Sequence, residues 1–305
     1  MSGLTITNRL EAIHDGAASP LYPMLEARAR QKGLAPARIS ARGQVVYWDA
    51  TWWGLDAWFS SRSLDAASVD AVLLELSRSV LNETYFIEKS GSAYAAKMMV
   101  LAKDTDTTQL YAHIASDEAT HLAWIEPYVA TDARVKPEGA FLAFLSSVIE
   151  TASPQVLILL VQIMLEGWGL DHYRRYATGC LDAGLQRVFR AILKDEALHH
   201  HSGVIQFSAE ALTPAERDYV SGSFRAYAAM IASGPLTAFD IVARNAGPLD
   251  GADRLALWTC LARAHDTQRR LDLLCALMRQ KGLEPAVDQL AGEGVFTAAG
   301  CPEWL

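Results

Sequence analysis

The sequence predicts an all-α protein, and three observations carry this prediction. Apolar residues recur at the spacing of a buried helix face in most segments of a chain that is 51% hydrophobic. Capping motifs open several of these segments, among them Ser153-Pro154 and Thr213-Pro-Ala-Glu216. A lone Glu followed by Glu-x-x-His occurs twice, with gaps in which a long helix can end, reverse and return. We therefore expect one all-α domain over residues 1–305.

The predicted elements fall into three parts of the chain. Residues 1–65 form an extension with helical patterns near 5–15 and 20–32, followed by a Trp-rich stretch that we expect to pack onto the main body as a lid or buttress. Caps and apolar stripes then place the main helices at about 66–102, 105–126, 154–179 and 185–212, with a short apolar helix at 141–150. Further helices are expected at 214–233, 236–245 and 252–282, before an irregular tail.

Six side chains in the central part of the chain are typical of a metal site built on helices. Residues three apart share one helix face, so each Glu-x-x-His presents a carboxylate and an imidazole to the same point. Four glutamates balance the charge of two divalent ions, and without metal they would have to take up protons. Glu is also a strong helix former, and a single Glu-x-x-His arises by chance, but two copies are harder to dismiss. The predicted ligands are Glu83, Glu118, His121, Glu166, Glu196 and His199.

The neighbours of these ligands leave some roles open. Asp117 and Asp195 precede the two motif glutamates, and they either orient the ligand imidazoles or are charges on a helix surface. His200 is also one turn from Glu196, but the spacing of the other motif favours His199. We interpret His200 and His201 as groups on the surface or directly behind the ligands, and His113 and His172 as lying off the ligand face. We interpret three tyrosines as core residues rather than redox groups: Tyr85, Tyr111 and Tyr173.

With this ligand order, the chain resembles the ferritin-like di-iron carboxylate superfamily over roughly residues 70–205. The resemblance implies a ferritin-like four-helix bundle at about 66–212 with extra N- and C-terminal helices, and a cofactor of two iron ions or a manganese–iron pair. The pattern is similar to that of acyl-carrier desaturases, bacterial multicomponent monooxygenases, arylamine N-oxygenases and tRNA hydroxylases, which activate O2. It departs from the arylamine N-oxygenases at Ile192, where they carry another His ligand.

The resemblance implies an O2-dependent oxygenase or oxidase that hydroxylates, desaturates, N-oxygenates or cleaves a small organic or carrier-bound substrate, in a biosynthetic role. The alternative is a ferritin-like protein that handles iron as a ferroxidase or scavenges peroxide, and a third interpretation is a helical scaffold that keeps the ligands without turnover. No flavin or nicotinamide fingerprint is visible, so the electrons would come from an external donor, a small reductant or the substrate.

Composition and charge exclude other classes of function. A net charge of -8 argues against nucleic-acid binding, whose footprint is basic. The N-terminus lacks the features of a signal peptide, so we expect a cytoplasmic protein. The apolar run Val156–Leu165 is shorter than the ~20 residues of a membrane span, so we expect no membrane insertion. The four cysteines are too scattered for a disulfide framework or a zinc ribbon, and a homodimer is one expected assembly.

Overall fold

The computed structural model describes residues 19–34, 44–130 and 139–302, and within these ranges every regular element is helical. This confirms the all-α prediction. The helical pattern expected near residues 5–15 and the end of the tail lie outside the described residues. The chain divides into two compact units, which we call unit A (1–44, 78–178 and 182–207) and unit B (45–77, 179–181 and 208–305). The expectation of a single domain stays a prediction.

Thirteen helices occur in the described ranges. In chain order they are α1 (Tyr22–Gln31), α2 (Ala50–Trp53), α3 (Asp56–Ser61), α4 (Ala66–Leu101), α5 (Thr105–Ile125), α6 (Ala140–Thr151), α7 (Pro154–Gly179), α8 (Ala183–Gln206), α9 (Pro214–Ala232), α10 (Leu236–Asn245), α11 (Gly251–His265), α12 (Thr267–Met278) and α13 (Glu284–Gly292). Short 3-10 turns follow α5 and α8, at Glu126–Tyr128 and Ala209–Ala211.

Unit A contains the helices that carry the predicted ligands. Its helices α5 and α8 start in the same way, because an aspartate side chain accepts a hydrogen bond from the free backbone N–H three residues later. Asp104 accepts from Thr107 at 2.8 Å, and Asp182 accepts from Leu185 at 2.7 Å. Helix α8 packs against α5 and against the middle of α7. The two caps therefore set the start, and with it the register, of both helices that carry Glu-x-x-His.

A buried lysine ends helix α6 inside unit A. The ammonium group of Lys97 donates hydrogen bonds to the carbonyl oxygens of Ile149, Glu150 and Ala152, at 2.7, 3.0 and 3.2 Å. The last carbonyls of a helix have no partner within the helix, so a cation at this point satisfies them. The next helix then begins with Pro154, as predicted, but the side chain of Ser153 makes no capping hydrogen bond. The prediction of a capping Ser is therefore wrong.

Unit B has its own apolar core, in which the Trp-rich stretch takes part. Trp58 lies in this core and donates a hydrogen bond from its indole N–H to the carbonyl oxygen of Asp253 at 3.2 Å. Trp48 is also fully buried. The ring of Trp52 occupies the space where a Cβ at position 179 would lie, so only Gly179 fits there. These contacts show that Trp52 and Trp58 pack within unit B, and the expected role of the stretch as a lid or buttress on the main body stays a prediction.

Three predicted boundaries in the C-terminal part of the chain are wrong. The helix expected at 252–282 is two helices, because Asp266 adopts a left-handed backbone with φ of 52° that interrupts the hydrogen-bond ladder. The tail expected to be irregular contains α13, whose Val287 and Leu290 are buried. Helix α8 ends at Gln206 rather than near Leu212, and Phe207 already has an extended backbone.

Candidate metal centre

Four helices of unit A bring six buried side chains together. They form two groups, each with one imidazole and three carboxylates, and within each group the potential ligand atoms lie within 4.8 Å of one another. We call the first group position 1 (Glu88, Glu118, His121 and Glu196) and the second group position 2 (Glu118, Glu166, Glu196 and His199). Because both groups contain Glu118 and Glu196, a pair of ions held here would share these two carboxylates.

The structure places five of the six predicted ligands in the cluster and leaves Glu83 out. Glu83 is exposed on α4, and the lone glutamate of the first group is Glu88, which is buried on the same helix. Five positions further along a helix of 3.6 residues per turn, a side chain points about 140° away, so the two glutamates cannot occupy one site. Assigning Glu83 as a ligand is thus corrected to Glu88.

A signal for Glu88 was present in the sequence. Glu88 lies 30 residues before Glu118, as Glu166 lies 30 residues before Glu196. Each of these lone glutamates is also followed three residues later by a glycine, whereas Glu83 is not. The equal spacing follows from two helix pairs of similar length, and it identifies the ligand that an apolar stripe alone does not.

Both imidazoles turn the same nitrogen toward the carboxylates. Nδ1 of His121 lies 3.0 Å from Glu88 and 3.4 Å from Glu196. Nδ1 of His199 lies 3.4 Å from Glu118 and 3.6 Å from Glu196. The two Nδ1 atoms are therefore the candidate ligand atoms.

The other imidazole nitrogens meet the two aspartates in a crossed arrangement. Nε2 of His121 on α5 donates to Asp195 on α8 at 3.2 Å, and Nε2 of His199 on α8 donates to Asp117 on α5 at 3.3 Å. A carboxylate accepts only, so it fixes the proton on Nε2 and leaves Nδ1 available for a metal. Of the two roles left open by the sequence, the aspartates take the orienting one. Lys32 forms an ion pair with the other oxygen of Asp117.

A buried glutamine joins three helices behind position 2. The side-chain oxygen of Gln162 accepts hydrogen bonds from the hydroxyls of Tyr94 at 2.7 Å and Tyr111 at 3.1 Å. Its amide nitrogen donates to the carbonyl oxygen of His199 at 2.8 Å and to Ser202 at 2.6 Å. This network fixes the backbone that carries one imidazole ligand.

The segment that leads to Glu166 is wound as a π-helix over Ile158–Leu165, a geometry that is frequent at functional sites.

By length and composition, Pro154–Gly179 and Pro214–Asn245 are long and apolar enough to cross a membrane. Such stretches are weak evidence for a span, because the buried helix of a protein core passes the same test. The apolar window in the first of them is 72% buried, and that helix carries Glu166 into the cluster.

Close packing around the carboxylates requires a glycine at one position. A Cβ built at Gly91 would lie 2.2 Å from the Oε2 atom of Glu118, which is far inside van der Waals contact. The equivalent atom at Gly169 would have Tyr173 at 3.9 Å as its nearest neighbour, an ordinary contact. Gly91 thus gives Glu118 the space to reach the centre.

Burial acts to raise the pKa of Glu118, Glu166 and Glu196, and the neighbouring imidazoles reverse this effect for one of them. Burial, followed by repulsion from Glu196, raises the pKa of Glu118 to about 8. Burial also raises the pKa of Glu166 well above its usual value, although the charge of His199 opposes this. Burial alone would raise the pKa of Glu196 as well, but hydrogen bonds from His121 and His199 lower it to about 2. The centre thus holds excess negative charge that must be balanced by protons or by cations.

The imidazoles respond to the same charges. Burial alone would lower the pKa of His121, but its hydrogen bonds to Asp195, Glu196 and Glu88 raise the pKa well above the usual value for histidine. Burial alone would also lower the pKa of His199, but its hydrogen bond to Asp117 and the nearby carboxylates of Glu118 and Glu196 raise it. Both rings are thus surrounded by groups that stabilise a positive charge at this place.

Two buried polar atoms of the cluster have no hydrogen-bond partner in the protein and could bind a metal ion. Oε2 of Glu166 and Nδ1 of His199 are buried without a hydrogen-bond partner. Buried polar atoms in native proteins are almost always paired, and a cation held among these carboxylates could pair both. With imidazole and carboxylate donors and no thiolate, the set suits iron or manganese.

A cavity opens beside the carboxylates within unit A. It offers about 50 Å³ to the centres of water-sized molecules, several times the ~10–15 Å³ that one water needs. Besides Glu88, Glu118, Glu166 and Glu196, it is lined mainly by apolar and aromatic side chains: Ile87, Val161, Leu165, Trp168, His172 and Tyr176. The exposed Glu83 lines it too, so the residue predicted as a ligand lies near the route to the centre.

The other candidates from the sequence are placed as follows. Tyr173 was interpreted as a core residue, but its hydroxyl donates a hydrogen bond to Glu88. His172 lines the cavity, where its ring packs on Trp168 with centroids 4.6 Å apart. Nδ1 of His200 lies 3.0 Å from a backbone carbonyl oxygen of α7, Tyr85 is fully buried, and His113 and His201 are exposed.

Comparison of the chain with protein-family models, with curated proteins and with solved structures gives no match, so the assignment of this centre rests on its own residues and their geometry.

Proposed function

We propose that this chain is a ferritin-like di-iron carboxylate protein, namely an O2-dependent oxidoreductase that oxidises a small organic or carrier-bound substrate. One observation carries the proposal: two groups of four buried ligands share Glu118 and Glu196 and border a cavity. Sites for two ions bridged by protein carboxylates are the arrangement used for two-metal chemistry. The order of ligands along the chain, with Glu88 in place of Glu83, is that of the di-metal helical bundle.

The protein side chains divide the work at such a centre. Glu118 and Glu196 would be shared by the two ions, His121 and His199 would complete their separate positions, and the aspartates behind the imidazoles hold the ring proton on Nε2, so that Nδ1 is the atom directed at the ion. Two bound iron ions would supply the electrons and the open coordination positions with which O2 is reduced. The π-helical turn and the Gln162 network hold the ligand helices in place.

The cavity favours oxidation of an organic molecule over storage of iron. Beside the glutamates, its wall consists mainly of apolar and aromatic side chains such as Ile87, Leu165 and Trp168, which suit an organic molecule better than a hydrated iron ion. This part of the wall would hold an apolar substrate beside the carboxylates. Since the sequence carries no nucleotide-binding fingerprint, we propose that reducing equivalents come from an external donor or from the substrate.

The test combines metal analysis, O2 uptake and product analysis on the full chain. We expect two iron ions per chain after reconstitution, and O2 consumption by the reduced protein that is coupled to an oxidised product from a panel of small apolar and carrier-bound substrates. The matched control is Glu118→Ala, which should lose metal and O2 uptake together. Uptake that yields only ferric mineral or water across the panel would favour iron handling, and a protein that binds no iron with all ligands intact would refute the proposal.

A further inference from the structure

The two metal positions have different surroundings, although their ligand sets match. We infer that position 1, which contains Glu88 and His121, binds a divalent ion first and more tightly than position 2, which contains Glu166 and His199. The inference rests on the proposed two-metal centre and adds an order of loading to it. Two independent contacts support it, one to a lone glutamate and one behind an imidazole.

The first contact fixes the lone glutamate of position 1. One carboxylate oxygen of Glu88 accepts a hydrogen bond from the hydroxyl of Tyr173, and the other lies 3.0 Å from Nδ1 of His121. Glu166 has the same place in position 2, but its Oε2 atom has no hydrogen-bond partner. A ligand that is already held in its binding geometry loses less conformational freedom when the ion arrives. Position 1 is therefore the better organised of the two.

The second contact weakens the imidazole of position 2. Asp117 accepts from His199 with one oxygen and pairs with the ammonium group of Lys32 through the other. Asp195 contacts His121, and its carboxylate makes no ion pair with a lysine or arginine of the described ranges. A carboxylate behind a ligand imidazole makes that imidazole a stronger donor, and a lysine on the same carboxylate withdraws part of this effect. His121 is thus the stronger donor of the two.

Calorimetric titration of the metal-free full chain with Co2+ tests the inference without any turnover. We expect two binding steps, with the first ion bound at least tenfold more tightly. Glu88→Gln should abolish the tight step and leave the weak one, whereas Glu166→Gln should do the reverse. Two steps of equal affinity in the unchanged protein would overturn the inference and leave the proposed function intact.

Two supporting variants separate positioning from general damage. Tyr173→Phe keeps the ring and removes the hydroxyl, so it should weaken the tight step by about 10–100-fold, the usual cost of losing a group behind a ligand. Tyr176→Phe is its control, because that hydroxyl contacts the imidazole of His172. Lys32→Met alters a partly exposed side chain and should tighten only the weak step. If Tyr173→Phe weakened both binding steps equally, the inference would be overturned. If the unchanged protein bound two ions with unequal affinity but oxidised no substrate, only the proposed function would be contradicted.

Discussion

The two halves of the centre repeat one pattern at a constant offset of 78 residues. Asp104, Glu88, Gly91, Glu118 and His121 correspond to Asp182, Glu166, Gly169, Glu196 and His199, so each helix cap, lone glutamate, glycine and Glu-x-x-His recurs in register. The ligand skeleton is thus nearly symmetric. The groups that support the ligands are not.

The differences lie at positions one or two turns from the lone glutamates. Four residues before Glu166 stands Gln162, which bonds across to α8, whereas the corresponding Thr84 bonds only to the carbonyl oxygen of Val80 on its own helix. Seven residues after Glu166 stands Tyr173, which contacts Glu88 of the other half, whereas the corresponding residue is Ala95. The same ligand types can therefore bind an ion with different affinity in the two halves, because packing decides which side chains hydrogen-bond to them.

The largest expected effect is the loss of both ions when a shared carboxylate is removed. Glu118→Ala and Glu196→Ala each take a ligand from both positions, and the remaining buried charges are poorly balanced. We expect elemental analysis to find almost no bound metal in either variant, with helical content preserved in circular dichroism. Glu83→Ala is the control and should keep two ions per chain. Loss of metal in Glu83→Ala would restore the ligand predicted from the sequence.

A second prediction uses the opposite titration of the two shared carboxylates. The pKa of Glu118 is raised from its ordinary value near 4.5 to about 8. Its favourable contribution to the free energy of unfolding is therefore present below about pH 4.5 and is lost as the pH rises toward 8. The raised pKa values of the two imidazoles act in the same direction above pH 6.5. We expect the free energy of unfolding of the metal-free protein to fall by on the order of a few kcal/mol between pH 5 and 8.

Glu196 should act at the other end of the pH range. Its pKa is lowered to about 2, so its contribution is present above about 4.5 and is lost as the pH falls toward 2. Thermal melting of the chelated protein at a series of pH values measures both losses of stability. Glu118→Gln should reduce the loss at alkaline pH, and Glu196→Gln should reduce the loss at acidic pH. The same change in both variants would contradict the opposite pKa shifts of the two carboxylates.

A third prediction compares the two equivalent glycines. Gly→Ala inside a helix usually stabilises a protein by about 0.5–1 kcal/mol, and Gly169→Ala should follow this rule because its nearest contact is 3.9 Å. Gly91→Ala should instead destabilise by about 1–3 kcal/mol, since the new methyl group collides with Glu118. Urea unfolding of the metal-free variants measures both values. If Gly91→Ala stabilised the protein, the Glu118 carboxylate would not lie next to Gly91.

The smallest effects concern the two residues that precede the lone glutamates by one turn. Gln162→Leu leaves the buried hydroxyls of Tyr94 and Tyr111 without their acceptor and should cost about 1–3 kcal/mol. Thr84→Val removes only a hydrogen bond to its own helix and should cost less than about 1 kcal/mol. Equal destabilisation in urea unfolding would mean that the two supports contribute alike.

Local patterns were enough to predict most helices and five of the six side chains in the buried cluster. The caps at Asp104 and Thr213 and the proline at the start of α7 act within one turn, so they can be recognised without tertiary contacts. The same holds for Glu-x-x-His, whose two side chains share a helix face. The break at Asp266 was missed because a left-handed residue leaves no mark on an apolar stripe that continues on both sides.

By itself, the sequence determined the all-α fold and the two Glu-x-x-His motifs, and its offset of 78 residues carries a signal for Glu88 that the prediction of Glu83 did not use. Only the tertiary structure decided that Glu88 faces the cluster, because α4 carries both Glu83 and Glu88 and its rotation depends on what it packs against. It also decided the crossed pairing of Asp117 with His199 and of Asp195 with His121. Such contacts join residues 74 or more positions apart, and a local pattern contains no information about which of two adjacent helices supplies the partner.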